Sequence, residues 1–96
     1  MVNMKFYDTR TVATSSGVVL TLHYYLLRTV SHSSTIYGIK VYSISDTFQP
    51  NIHAEQVSKI SHSLSKVSTL LDQCIQYLVT PTDLITALDT LMNEPF

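Results

Sequence analysis

Residues 61–78 read SHSLSKVSTLLDQCIQYL, and the spacing of their apolar positions decides the fold. Leu64, Val67, Leu71, Cys74 and Leu78 recur at intervals of three and four, with Leu70 and Ile75 widening the stripe. That period predicts a helix with one side on a core. Ser63 stands just ahead of the stripe as its N-cap, a hydroxyl able to accept from a backbone N–H that has no partner inside the helix. Downstream, TPTD at residues 80–83 marks a second start: Thr80 can cap, Pro81 occupies a first turn where its missing N–H costs nothing, and Asp83 lies near the positive end of the dipole. The second helix is expected to run to about Met92, with Leu84, Leu88 and Leu91 on one side and Ile85 and Met92 beside them. So short a link between the two predicts a helical hairpin.

Upstream the period is two. Val2, Met4 and Phe6 alternate with Asn3, Lys5 and Tyr7, which predicts a strand with one greasy face, resumed at Val12 after the polar Asp8, Thr9 and Arg10. ATSSG, ending at Gly17, supplies a turn in which glycine can take positive φ. A second strand is expected from about Val18 to Val30, with Leu20, Leu22, Tyr24 and Leu26 on one side and Thr21, His23, Tyr25 and Leu27 on the other. SHSS at residues 31–34 is of hairpin length. A third strand, TIYGIKVYS, sets Tyr37, Ile39 and Val41 against Lys40 and Tyr42. Pro50 interrupts the pattern, and Ile52–Ile60, ambiguous by period, is read as a fourth strand. Strands followed by helices predict an α+β domain spanning 1–96: an antiparallel meander of three to four strands over about 2–60, with a two-helix hairpin over about 63–93 packed on one face.

Composition narrows the function. Hydrophobic residues make up 45% of the 96 and charged ones 14%, which is too apolar for disorder. A net charge of −1, with Lys5, Arg10, Arg28, Lys40, Lys59 and Lys66 scattered, gives no steering toward phosphate backbones or anionic membranes. One cysteine, Cys74, allows no intrachain disulfide; with no signal-peptide pattern and no membrane-span run, the expected location is the cytoplasm.

Taken together, YYLL at residues 24–27, YGIKV at 37–41, KIS at 59–61 ahead of a helix, and VTPTDL at 79–84, in that order after a turn bearing Gly17, resemble a small clostridial and Firmicutes family catalogued as a domain of unknown function. The resemblance implies a small cytoplasmic bacterial protein and transfers no catalytic residue. The last helix is markedly acidic in that family, whereas here Asp89 stands among Thr86, Ala87 and Thr90, so no role for an acidic helix carries over.

Catalytic, metal and cofactor sites are not expected. There is no G-x-S-x-G elbow and no glycine-rich phosphate loop. His23, His32, His53 and His62 lack metal-site spacing, and Cys74 reads as a small buried hydrophobe. The second helix carries no Lys or Arg with which to read DNA. What remains is the sheet face away from the helices, where Lys5, Tyr7, His23, Tyr25, Lys40 and Tyr42 are expected to form an exposed aromatic patch. The leading reading is a non-enzymatic interaction or regulatory protein, self-associating as a homodimer or held by a protein partner. A second is a platform on which single-stranded nucleic-acid bases stack, with Lys5 and Lys40 on phosphates; a small enzyme or metal-binding protein ranks third. The plain alternative to all three is that tyrosines favour strands and keep their hydroxyls wet.

Overall fold

The computed structural model describes residues 2–47 and 51–93, which form four strands and two helices. Strands β1 (Val2–Ala13), β2 (Val19–Ser31), β3 (Ser34–Ser45) and β4 (Ile52–Ser61) make one antiparallel sheet in the order β1-β2-β3-β4, so each strand pairs with its neighbour in sequence. Ile52–Ile60 is therefore a strand, while Pro50 falls outside the described residues. Helix α1 (Leu64–Gln76) is followed by a 3₁₀ turn at Pro81–Asp83 and helix α2 (Leu84–Asn93). The architecture is the α+β meander with a helical hairpin on one face.

The turns follow from local chemistry. Gly17 takes φ 86° between β1 and β2, and its N–H donates to the Thr14 carbonyl at 3.0 Å. His32 supplies the positive φ (54°) in the two residues separating β2 from β3. Ser63 caps α1 by accepting from the Lys66 N–H at 3.2 Å. Thr80 behaves differently from expectation: its hydroxyl donates to the Asp83 carboxylate at 3.2 Å and caps no backbone N–H.

Both helices lie on one side of the sheet, called inner here. Val67, Leu70, Leu71, Cys74 and Ile75 of α1, with Leu84 and Leu88 of α2, bury Leu22, Tyr24, Ile39 and Val41 of β2 and β3. Two members of the expected α1 stripe are not in this core, and Ile85 and Met92, expected beside the α2 stripe, are exposed. Leu64 is exposed in the first turn of α1, and Leu78 lies beyond the helix end, where it serves the cap instead. The Leu78 N–H donates to the Ile75 carbonyl at 3.1 Å and the Val79 N–H to the Cys74 carbonyl at 2.9 Å, the paired bonds of a Schellman ending. That ending needs a left-handed residue, and Leu78 adopts φ 54° although its side chain is branched at Cγ and its Cβ opposes the conformation. Leu78→Gly is therefore expected to stabilise the fold by about 1 kcal/mol, read as a higher urea midpoint with unchanged slope.

Candidate protein-interaction face

The register fixes which side chains share a face. Pairs Leu22↔Ser43, Tyr24↔Val41 and Leu26↔Ile39 lie inward under the helices, so His23↔Tyr42, Tyr25↔Lys40 and Leu27↔Gly38 lie on the outer side. Along β1, Phe6↔Tyr25, Met4↔Leu27 and Val2↔Thr29 place Phe6, Met4 and Val2 on that outer side too. On β4, Ala54 opposite Tyr42 and Gln56 opposite Lys40 complete it. No helix covers this face.

Four rings run across three strands of it. Phe6 meets Tyr25 edge to face with centroids 5.7 Å apart, Tyr25 stacks on Tyr42 at 5.7 Å and 15°, and Tyr42 stacks on His23 at 4.6 Å and 19°. Thr9 ends the row, its hydroxyl 3.2 Å from His23 Nδ1. Hydrogen bonding to Tyr42 raises the pKa of the Tyr25 phenol above its ordinary value. The rings hold each other in place, which lowers the entropy that a partner would have to remove on binding.

Of the six residues expected on this surface, His23, Tyr25, Lys40 and Tyr42 are there and Lys5 and Tyr7 are not. Lys5 pairs with Leu26 and so lies on the inner side. The register of β1 slips between Phe6 and Asp8, and the Tyr7 hydroxyl donates to the Asp72 carboxylate of α1 at 3.0 Å. That bond to an anion raises the Tyr7 pKa. The face accordingly loses one of two expected cations and gains Val2, Met4 and Phe6, which are 57%, 52% and 53% exposed. Ile52, opposite Ile44 on the same side, is 68% exposed. Among the side chains paired in the described register, Lys40 is the one charged group on the outer side, whereas Lys5, Asp8, Arg10, Arg28 and Glu55 all lie inward.

Elsewhere the described residues gather little chemistry. Two open hollows of about 350 Å³ flank the contact between α1 and α2, and Lys66 is the one charged side chain among their linings. No three His, Cys, Asp or Glu side chains cluster as metal ligands among the described residues. Cys74 is buried, and burial pushes its thiol pKa up to about 11, away from the thiolate.

The chain belongs to a family of unknown function, DUF6514, whose model matches residues 3–94. No curated protein and no solved structure matches it.

Proposed function

We propose that this protein is a non-enzymatic interaction module of regulatory type in the bacterial cytoplasm, and that it works as a homodimer with a second copy stacked on its outer sheet face. The observation that carries the reading is that face itself: a sheet surface with four contacting rings, four exposed large apolar side chains and a single charge in its register. A solvated sheet face ordinarily alternates apolar inside with polar and charged outside. Here the charges in the register sit on the inner side, Lys5, Asp8 and Arg10 on β1, Arg28 on β2 and Glu55 on β4, and the uncovered outer side is the greasy one.

The dimensions suit a sheet-on-sheet contact. The molecule is a slab of 46 × 32 × 17 Å, one sheet and one helix layer thick. Four strands about 4.8 Å apart and roughly 33 Å long give a face of ~600 Å², so two such faces bury ~1,200 Å², the lower bound of a stable interface. Self-stacking also meets little repulsion, because Lys40 is long enough to carry its ammonium to the rim. No helix of the described residues is long and apolar enough to cross a membrane.

Sedimentation velocity at micromolar concentration tests it. The native chain is expected to sediment as a dimer or larger. Tyr42→Arg, which puts a cation among the rings, should weaken the association about 100-fold while the circular dichroism spectrum is retained. A native chain that stays monomeric overturns the proposal. A low-salt anisotropy titration that saturates with a labelled single-stranded oligonucleotide would move the face to the stacking-platform reading, which the structure leaves with Lys40 alone beside the rings.

A further inference from the structure

The free edge of β1 is a separate surface from the face. Beyond β1 the described residues form no further strand, and in its first half Val2, Met4 and Phe6 are exposed on the outer side and Asn3 and Lys5 on the inner, ahead of Tyr7, whose hydroxyl reaches Asp72 of α1. An exposed edge is a template for another strand unless something guards it. The register slip at Tyr7 divides β1 in this respect. Past it, Asp8 and Arg10 form a 2.7 Å ion pair and guard the strand. Before it, residues 2–6 run regularly with large apolar side chains at every second position and Lys5 as their one charge.

We infer that residues 2–6 pair antiparallel with the same residues of a second copy, centred on Met4. The register is chosen by side-chain chemistry. Centring on Met4 sets Val2 against Phe6 of the other copy, Met4 against Met4, and Asn3 against Lys5, so that apolar meets apolar on the outer side and the cation meets an amide on the inner side. Centring on Lys5 opposes two cations and draws Tyr7 at the slip into the ladder. Centring on Phe6 brings Asp8 into the ladder against Met4. The pairing adds main-chain hydrogen bonds along the edge and needs no movement of the sheet.

Its two-fold axis stands perpendicular to the sheet, so both outer faces point the same way and the Val2, Met4 and Phe6 rows of two copies merge into one apolar stripe. Stacking of faces uses an axis lying in the sheet plane. Where the two perpendicular two-folds intersect, they close at four copies, a finite assembly with no free β1 edge. The edge contact spans five residues and is the weaker of the two, so it fills at higher concentration.

Disulfide trapping tests the register. In a Tyr42→Arg background, which removes stacking, Met4→Cys places two thiols across the central pair, within the reach of a disulfide. It is expected to cross-link at least tenfold faster than Lys5→Cys, whose thiols would face Asn3, and an equimolar mix of Asn3→Cys and Lys5→Cys should give the mixed pair. Cys74, being buried, stays out of the exchange. Equal rates for Met4→Cys and Lys5→Cys, or no linkage by either, overturn the inference. A second arm uses no thiol: Met4→Lys in the same background opposes two cations at the axis and is expected to abolish the remaining self-association, whereas an unchanged sedimentation profile refutes the edge contact. Failure of the stacked face is read separately, from Tyr42→Arg alone.

Discussion

Gly38→Ala is expected to cost the fold about 3 kcal/mol or more, read as a urea midpoint lowered by roughly 1–3 M with little change in slope. Gly38 lies on β3 where the β3–β4 register slips between Tyr37 and Ile39, and β4 spends extra residues to pass it. A Cβ at Gly38 would collide with the Val57 carbonyl oxygen and lie 2.6 Å from Ser58 Cα. Backbone atoms cannot swing aside as a side-chain tip can, so β4 would have to lift from β3 along this stretch. Leu27, the neighbour of Gly38 in register, is only 2% exposed although it sits on the outer side, and lifting β4 would disturb its surroundings as well. Gly17→Ala is the control. A Cβ there meets nothing within 4 Å, and the expected cost is the ~1 kcal/mol of forcing a side chain to accept φ 86°. A Gly38→Ala protein no less stable than Gly17→Ala would mean that β4 does not approach β3 this closely.

That close approach is also a measure of what the sequence could and could not say. The glycine in YGIKV is visible, but nothing local reveals that a different strand passes over it. The helices were legible because period 3.6 belongs to the segment itself, and Ser63 capped as its position implied. Faces of the sheet were less so. Val2, Met4, Phe6 and Val12 share an even phase and read together as one greasy side. The slip at Tyr7 separates them: Val12 packs on the core while Phe6 stands outside with Tyr25. Alternation tells which side chains share a side of a strand, not which side the helices will cover, and one bulged residue inverts the answer for everything beyond it. Of the residues expected together on the outer face, His23, Tyr25, Lys40 and Tyr42 therefore lie there, while Lys5 and Tyr7 lie on the other side. The hydrogen bond from Tyr7 to Asp72 joins residues far apart in the chain, and no pattern within β1 announces it.

Tyr24→Ala should destabilise the domain by about 4 kcal/mol, while Tyr24→Phe should cost ~1–2 kcal/mol, and the difference between them separates packing from hydrogen bonding. Tyr24 has no exposed surface; it lies under both helices between Leu22 and Ile39 in the core. Its hydroxyl donates to the Val79 carbonyl at 2.9 Å, so the centre of the sheet holds the chain at the point where it leaves α1 for Pro81. Phenylalanine keeps the ring and leaves that buried carbonyl without its donor. Burial raises the Tyr24 pKa well above its ordinary 10.0, and burial raises that of Cys74 from 9.0 to about 11. Both groups are neutral in the fold and ionise more readily once unfolded, so the stability they carry is intact below about pH 9 and falls as pH rises through the alkaline range. Cys74 begins that loss above pH 9 and Tyr24 adds to it above pH 10. Tyr24→Phe is expected to start less stable at pH 8 and to lose stability less steeply above pH 10 than the native chain, measured by urea unfolding at each pH. Equal alkaline slopes for the two proteins would show that the phenol ionises as freely inside the fold as outside it, and the tether to Val79 would then not hold the neutral hydroxyl that its geometry requires.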